Sequence, residues 1–258
     1  MLNEIIILSI VFLSIIFQSI IGIGVLVLGT PILLILEYNL IEILSILLPF
    51  SILTSFINIF LINIGFSLKE INLSNLKLSL DPELKYNFFY ICLPSLFVGL
   101  LLLKFLQYYL NFKIIIGSII LSSLFIKIFY EKTKLKSSNI MKKIFFFIIG
   151  VVHGLTNSGG TLLTIFISLY KKNFKKKSRL NITILYLFLA LFQYLIFIFL
   201  FKIIPDYTEI LIIVILTFVG SVVGNFLIKY ISEDTIRLII NLTAFTTALF
   251  LIISGLTL

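Results

Sequence analysis

Long apolar runs alternate with short polar connections along the whole chain. The runs lie at roughly 5–36, 41–64, 86–106, 112–130, 142–170, 181–203, 209–230 and 235–257. A helix needs about 20 apolar residues to cross the hydrocarbon core of a bilayer. The runs are continuous and lack the inward–outward alternation of a membrane barrel, so they predict membrane helices.

The eight runs form two groups of four, and the first run of each group is interrupted. The fifth run holds VVHGLTNSGGTLLT, Val151 to Thr164, where Gly154, Gly159 and Gly160 accompany Thr156, Asn157 and Ser158. The first holds FQSIIGIGVLVLGTP, Phe17 to Pro31. An offset of 135 residues aligns Gln18 with His153, Gly22 with Asn157, Gly24 with Gly159 and Pro31 with Phe166. A second echo pairs Phe97-Val98-Gly99 with Phe218-Val219-Gly220; each precedes an apolar stretch, a lysine (Lys104, Lys229), a polar turn and a further run. The predicted fold is an all-α integral membrane protein of two repeats: 1–130, a basic linker at 131–143, and 144–258. Two glycine-broken segments in corresponding positions are the sequence pointer to a transporter binding site.

Composition adds little but excludes much. At 60% hydrophobic residues and a mean hydropathy of +1.23, a soluble domain is excluded. The single cysteine, Cys92, rules out an intrachain disulfide and a cysteine metal cluster. With no tryptophan, an interfacial aromatic belt falls to the 11 tyrosines. The start of the chain has neither a basic region nor a small-residue cleavage site, so Ile5 onward is expected to be retained. No P-loop, HExxH or paired intramembrane aspartate is present, so neither an ATP-driven pump nor an enzyme is expected, and no cofactor or metal.

The net charge of +9 would suggest nucleic acid in a soluble protein. Here the basic residues lie between apolar runs, where they orient a membrane protein. If all eight runs cross, the 20 Lys and Arg divide 10 and 10 between the two faces. If the first and fifth dip in and return, the division is 17 and 3, the excess expected of a cytoplasmic face. Length agrees for the fifth run, since 142–170 as one helix would be about 42 Å long, beyond a core of about 30 Å. The expectation is six crossings, two re-entrant hairpins built of short half-helices, both termini outside, and an inverted second half. The connection Gly65 to Lys85 is a candidate interfacial helix.

The candidate site follows from the breaks. A break in a membrane helix survives where protein or a wet cavity shields its backbone. The helix starting at Gly159 and Gly160 presents free N–H groups and a positive dipole end, which suit an anion. Thr156, Asn157, Ser158 and Thr161 add hydroxyl and amide donors, and Gly22 and Gly24 form the matching break. Pro31 is expected to kink the helix after it. His153, the only histidine, is the candidate coupling group. Gln18, Asn58, Asn63, Asn181, Gln193, Asn225 and Asn241, with the cluster Ser51, Thr54 and Ser55, read mostly as interhelical hydrogen bonds. Gly220 and Gly224 read as a packing GxxxG. No carboxylate, lysine or arginine falls deep in a run, so dipoles, amides and hydroxyls are expected to hold the anion.

At these residues the chain resembles the TauE/SafE family of membrane transporters, also called the sulfite exporter family. The likeness rests on two four-segment repeats, on Gly22, Gly24, Pro31 and Leu33 (G-x-G…P-x-L), and on Gly154, Gly159 and Gly160 opening the second half. Phe166 departs from the pattern by standing where the repeat would place a proline. The resemblance implies a secondary carrier of a sulfur-containing anion (sulfite, sulfoacetate, thiosulfate-like) in the bacterial cytoplasmic membrane, with the basic loops cytoplasmic. The expected partners are a small anionic substrate and the lipid bilayer. Protons are a candidate coupling ion, a homodimer a candidate assembly, and nucleic acid is not expected. The alternatives are a carrier of another small organic anion and a non-transporting scaffold or assembly protein.

The charge count predicts that reporters inserted near Lys134 and near Lys176 lie on the same face of the membrane. Opposite faces would restore the eight-crossing arrangement.

Overall fold

The computed structural model describes residues 2–64, 82–133, 139–170, 176–203 and 210–257, and every regular element among them is helical. The first half comprises α1 (Leu2–Ile21), α2 (Val25–Ile35), α3 (Leu40–Ile64), α4 (Pro82–Asn87), a π-helical turn (Phe88–Cys92), α5 (Leu93–Leu106) and α6 (Phe112–Thr133). The second comprises α7 (Asn139–Thr156), α8 (Gly159–Tyr170), α9 (Lys176–Phe201), α10 (Ile210–Leu227) and α11 (Glu233–Leu256). Most of the connection at Gly65 to Lys85 lies outside the described residues, so the interfacial helix expected there is not described; α4 is its last part.

Among the described residues, six stretches are long and apolar enough to cross a membrane: Glu4–Ile21, Leu40–Asn63, Leu84–Leu106, Asn139–Thr156, Arg179–Phe201 and Ile210–Leu227. They include α1 and α7, expected to be short half-helices. α6 and α11, also expected to cross, are helices of 22 and 24 residues. The hairpin arms are correspondingly unequal, at 20 and 11 residues in the first and 18 and 12 in the second. α7 gains length because it begins at Asn139, before the apolar run, and continues past Gly154 to Thr156.

Exchanging the two halves maps the main helix contacts onto one another. α5 packs on α7 as α10 packs on α1, α3 meets α10 as α9 meets α5, and α2 meets α11 as α8 meets α6. α3 packs on its own counterpart α9, and α6 on α11. The α1–α10 and α5–α7 pairs run parallel. A Cβ at Gly220 would meet Phe12 and Ile15, and one at Gly224 would meet Ile16 and Ser19. Likewise Gly150 abuts Cys92, Ser95 and Leu96, while Gly154 abuts Leu96 and Leu100. The α6–α11 pair runs antiparallel, with Gly117 against Ala248 and Ile252 and Gly255 against Lys113 and Ile114.

Small residues let these backbones touch, which is what membrane helices use in place of a hydrophobic drive. The repeated Phe-Val-Gly shows the division of labour. Phe97, Val98, Phe218 and Val219 are exposed on the outer surface, while Gly99 and Gly220 are buried against α7 and α1. Gly154 belongs to the same class. It was expected at the break, but a Cβ there would strike the backbone of Leu96, Gly99 and Leu100. The contact with α5 compensates for the glycine, and α7 stays helical through it.

Gly154→Val is therefore expected to destabilise the bundle by about 1–3 kcal/mol, the usual cost of forcing volume into a packed contact. Val98→Ala, on the exposed face, should change stability by no more than about 0.5 kcal/mol. Cys92 is buried and is the only cysteine, so the temperature at which a thiol-reactive dye labels it reads both.

Candidate functional site

Both broken segments turn in the same way. α1 ends at Ile21; Gly22 follows with φ +100° and donates its N–H to the Gln18 carbonyl at 2.7 Å. α7 ends at Thr156; Asn157 follows with φ +62° and donates to the His153 carbonyl at 2.9 Å. These are the residues that the 135-residue offset aligns. A helix that stops on a left-handed residue recruits glycine or asparagine, which enter that region at least cost. At Gly22 a side chain is excluded a second time, because a Cβ would lie 2.9 Å from Thr183 Oγ1 and 3.3 Å from the Arg179 carbonyl.

After each turn the chain doubles back. A Cβ at Gly24 would meet the Gln18 backbone nitrogen at 2.5 Å, and one at Gly159 would meet His153 Cβ and the Ile149 carbonyl at 2.5 Å. Phe166 on α8 stacks edge-on against Phe146 on α7 at 5.0 Å, so the position lacking the repeat's proline instead packs the hairpin. Pro31 lies within α2, which continues to Ile35. The first turn is held by Gln18, whose Oε1 accepts from Val25 N–H at 2.9 Å and whose Nε2 donates to the Ser51 carbonyl and to Ser55 Oγ at 2.8 Å. The second turn is tied across to the first hairpin, with Asn157 Nδ2 donating to Thr30 Oγ1 at 2.8 Å.

The starts of α2 and α8 therefore converge. A Cβ at Gly160 would lie 3.0 Å from Val27 and 2.7 Å from the ring of Tyr186. The first amides of each helix have no intrahelical acceptor, and the helix dipoles bring partial positive charge to the same place. Tyr186 on α9 sets its hydroxyl against Ser51 and the backbone of Gly24 and Leu26. Its ring centre lies 6.1 Å from that of His153. Around this point the Tyr186 hydroxyl, Ser51 Oγ, both His153 ring nitrogens and Asn157 Oδ1 are buried without a hydrogen bond of normal geometry. Buried polar groups are normally satisfied, so such a cluster can receive a small polar guest.

Gly22, Gly24, Asn157, Ser158, Gly159 and Gly160 thus lie at or beside the two turns. The hydroxyls of Thr156, Ser158 and Thr161, expected as donors to an anion, point elsewhere. Thr156 donates to the Val152 carbonyl at 2.7 Å, Ser158 to the Thr156 carbonyl at 3.3 Å, and Thr161 to the Ser158 carbonyl at 2.6 Å. They brace the turn. His153 differs from its repeat mate Gln18, which bridges its own turn. The polar residues assigned to packing are largely found there. Asn58 binds Ser19 and Asn225, Gln193 donates to the His153 carbonyl, and Asn63 bonds within its own helix.

Two participants were missed. Tyr186 was hidden in an apolar run, although it stands 135 residues after Ser51, the residue it faces. Arg179 was counted with the basic loop, yet it is buried, with 8% of its surface exposed. Its Nη2 donates to the Ser19 carbonyl at the end of α1 and to Asn225 Oδ1. The expectation that no cation lies within the bundle is corrected accordingly.

A family model described as "Sulfite exporter TauE/SafE" matches residues 6–251. No curated protein and no solved structure matches the chain.

The turn chemistry predicts graded losses at Asn157. Glycine there keeps the left-handed turn and loses one side-chain hydrogen bond, about 0.5–1.5 kcal/mol. Valine should add a further cost of about 1–3 kcal/mol for a β-branched residue at positive φ. Dye labelling of Cys92 on heating should rank wild type, glycine and valine in that order.

Proposed function

The chain belongs to the TauE/SafE sulfite exporter family, and from that membership together with the converging helix starts we propose that it is a secondary carrier of a small anion. The substrate class we assign is a sulfur oxyanion or organosulfonate. The observation that carries the reading is one place where the N-termini of α2 and α8 meet buried polar groups that lack a hydrogen bond of normal geometry. An anion there accepts hydrogen bonds from the first amides of both helices, from the Tyr186 hydroxyl and from Ser51. Neutral donors and partial charges hold it tightly enough to select it and loosely enough to let it go. His153, buried and unpaired beside the site, is the group we assign to proton coupling.

The two halves are read as inverted repeats that rock about this site. The helix directions support the reading. α6 and α11, which are mates in the repeat, run antiparallel. So do α3 and α9, where Ser51 faces Tyr186 and, seven residues further along α3, Asn58 connects through Asn225 to Arg179, seven residues back along α9. Mates that cross antiparallel are related by an axis lying in the membrane plane; the lysine and arginine excess of the basic loops is the reason we assign them to the cytoplasmic face.

Purified protein in liposomes should take up sulfite, thiosulfate or a sulfonate saturably. Gly159→Leu, which drives volume into His153 and Ile149, should abolish uptake. Tyr186→Phe keeps the ring packing and removes one hydrogen bond, so uptake at low substrate should fall about three- to tenfold with little change in melting temperature. Absence of flux for all three anions with folded protein removes the substrate assignment.

A further inference from the structure

Arg179 lies on the face of α9 that also carries Thr183 and Tyr186. Seven residues separate it from the tyrosine, about 10 Å along the helix. Its Nη2 has two acceptors, the Ser19 carbonyl and Asn225 Oδ1. Asn225 donates to Asn58 Oδ1 at 2.6 Å, and Asn58 donates to Ser19 Oγ at 3.0 Å, which closes a ring of bonds between α1, α3, α9 and α10. Nε is buried without a partner. Among the described residues no carboxylate pairs with the guanidinium. Lys113, equally buried, shows the contrast: it is neutralised by Glu37 at 2.5 Å.

A full positive charge buried without a counter-charge is costly, and membrane proteins retain such groups where they act on a charged guest. Capping the last turn of α1 requires one donor, which a neutral side chain can supply. It does not require five donors and a fixed charge. The repeat mate of Arg179 is Leu44, so the charge is not demanded by the fold shared between the halves. The Arg179 backbone carbonyl also abuts Gly22 of the first turn, which places this residue at one end of the site described above.

Resting on the carrier reading, we infer that Arg179 is the charge-selecting residue, a second subsite for the anion one stage along α9 from the converging helix starts. Release of either Nη2 acceptor opens the two-pronged edge of Nε and Nη2. That edge matches two oxygens of a sulfonate, sulfite or carboxylate group. A substrate passing between this edge and Tyr186 exchanges protein acceptors for its own oxygens, so the buried charge always has a partner of some kind.

The test uses the full chain in liposomes, as wild type, Arg179→Gln and Arg179→Lys, with sulfite and methanesulfonate as probes and the neutral isostere dimethyl sulfone as competitor. Arg179→Gln should raise KM for both anions at least about tenfold and should narrow the preference for methanesulfonate over dimethyl sulfone. Arg179→Lys, which keeps the charge and loses the fork, should fall between. Arg179→Gln with unchanged KM, whether or not its melting temperature drops, overturns the inference and leaves a structural cap. If Arg179→Gln does not fold, Arg179→Lys decides, and an unchanged KM overturns the inference. Wild type that carries neither anion removes the carrier reading and this inference together; wild-type flux with indifferent variants removes the inference alone.

Discussion

A helix that stops inside a bilayer leaves amide and carbonyl groups that lipid cannot satisfy, and the rest of this fold answers to that constraint. Two helices stop at a turn, at Ile21 and at Thr156, and we read both turns as lying within the bilayer. At each, the following N–H returns to the carbonyl four residues back, a left-handed residue turns the chain, and a glycine lets it double back against its own helix. Around the starts of α2 and α8 a small group of buried polar atoms remains without a hydrogen bond of normal geometry. Long helices pack around that spot and enclose it, with glycine contacts at α1–α10 and α5–α7 drawing the backbones close. Shielding the breaks and creating the anion site we propose are thus one physical problem with one solution.

The repeat explains the scaffold, and its departures point to the chemistry. Ser51 and Tyr186 are mates that face each other with hydroxyls of very different reach. Gln18 spends its amide closing the first turn, while its mate His153 leaves both ring nitrogens unpaired. Arg179 stands opposite Leu44. Each pair is equivalent in backbone and unequal in side chain. The proposed site, made by two equivalent hairpins, thereby acquires a tyrosine hydroxyl, an imidazole and a guanidinium on one side only, and in the carrier we propose the substrate would meet different groups along its way.

Much of the backbone plan could be read from the sequence because glycine and apolar runs speak directly to backbone geometry. The pairing of Gly22 with Asn157 located the positive-φ residue of each turn, and Gly220 and Gly224 lie at a helix contact as read. The misses share a cause, since they depend on what a residue touches across the bundle. Gly154 reads as a helix breaker until α5 is placed against it. Thr156, Ser158 and Thr161 read as free donors until their hydroxyls are found on nearby carbonyls. Arg179 sits beside a run of lysines and reads as a loop charge; its neighbours Ser19, Asn58 and Asn225 come from three distant segments. The unequal hairpin arms were also beyond a count of apolar residues, because α7 draws its first turn from the polar linker.

The most direct measurement is the position of the anion itself. Selenite, the heavier congener of sulfite, has an anomalous signal that locates it in crystals of the protein without reference to any model of the site. The account predicts its strongest peak between the starts of α2 and α8, within hydrogen-bonding reach of the Gly159 and Gly160 amides and the Tyr186 hydroxyl. A strongest peak away from both that point and Arg179, or none at a selenite concentration that blocks sulfite uptake, would contradict it.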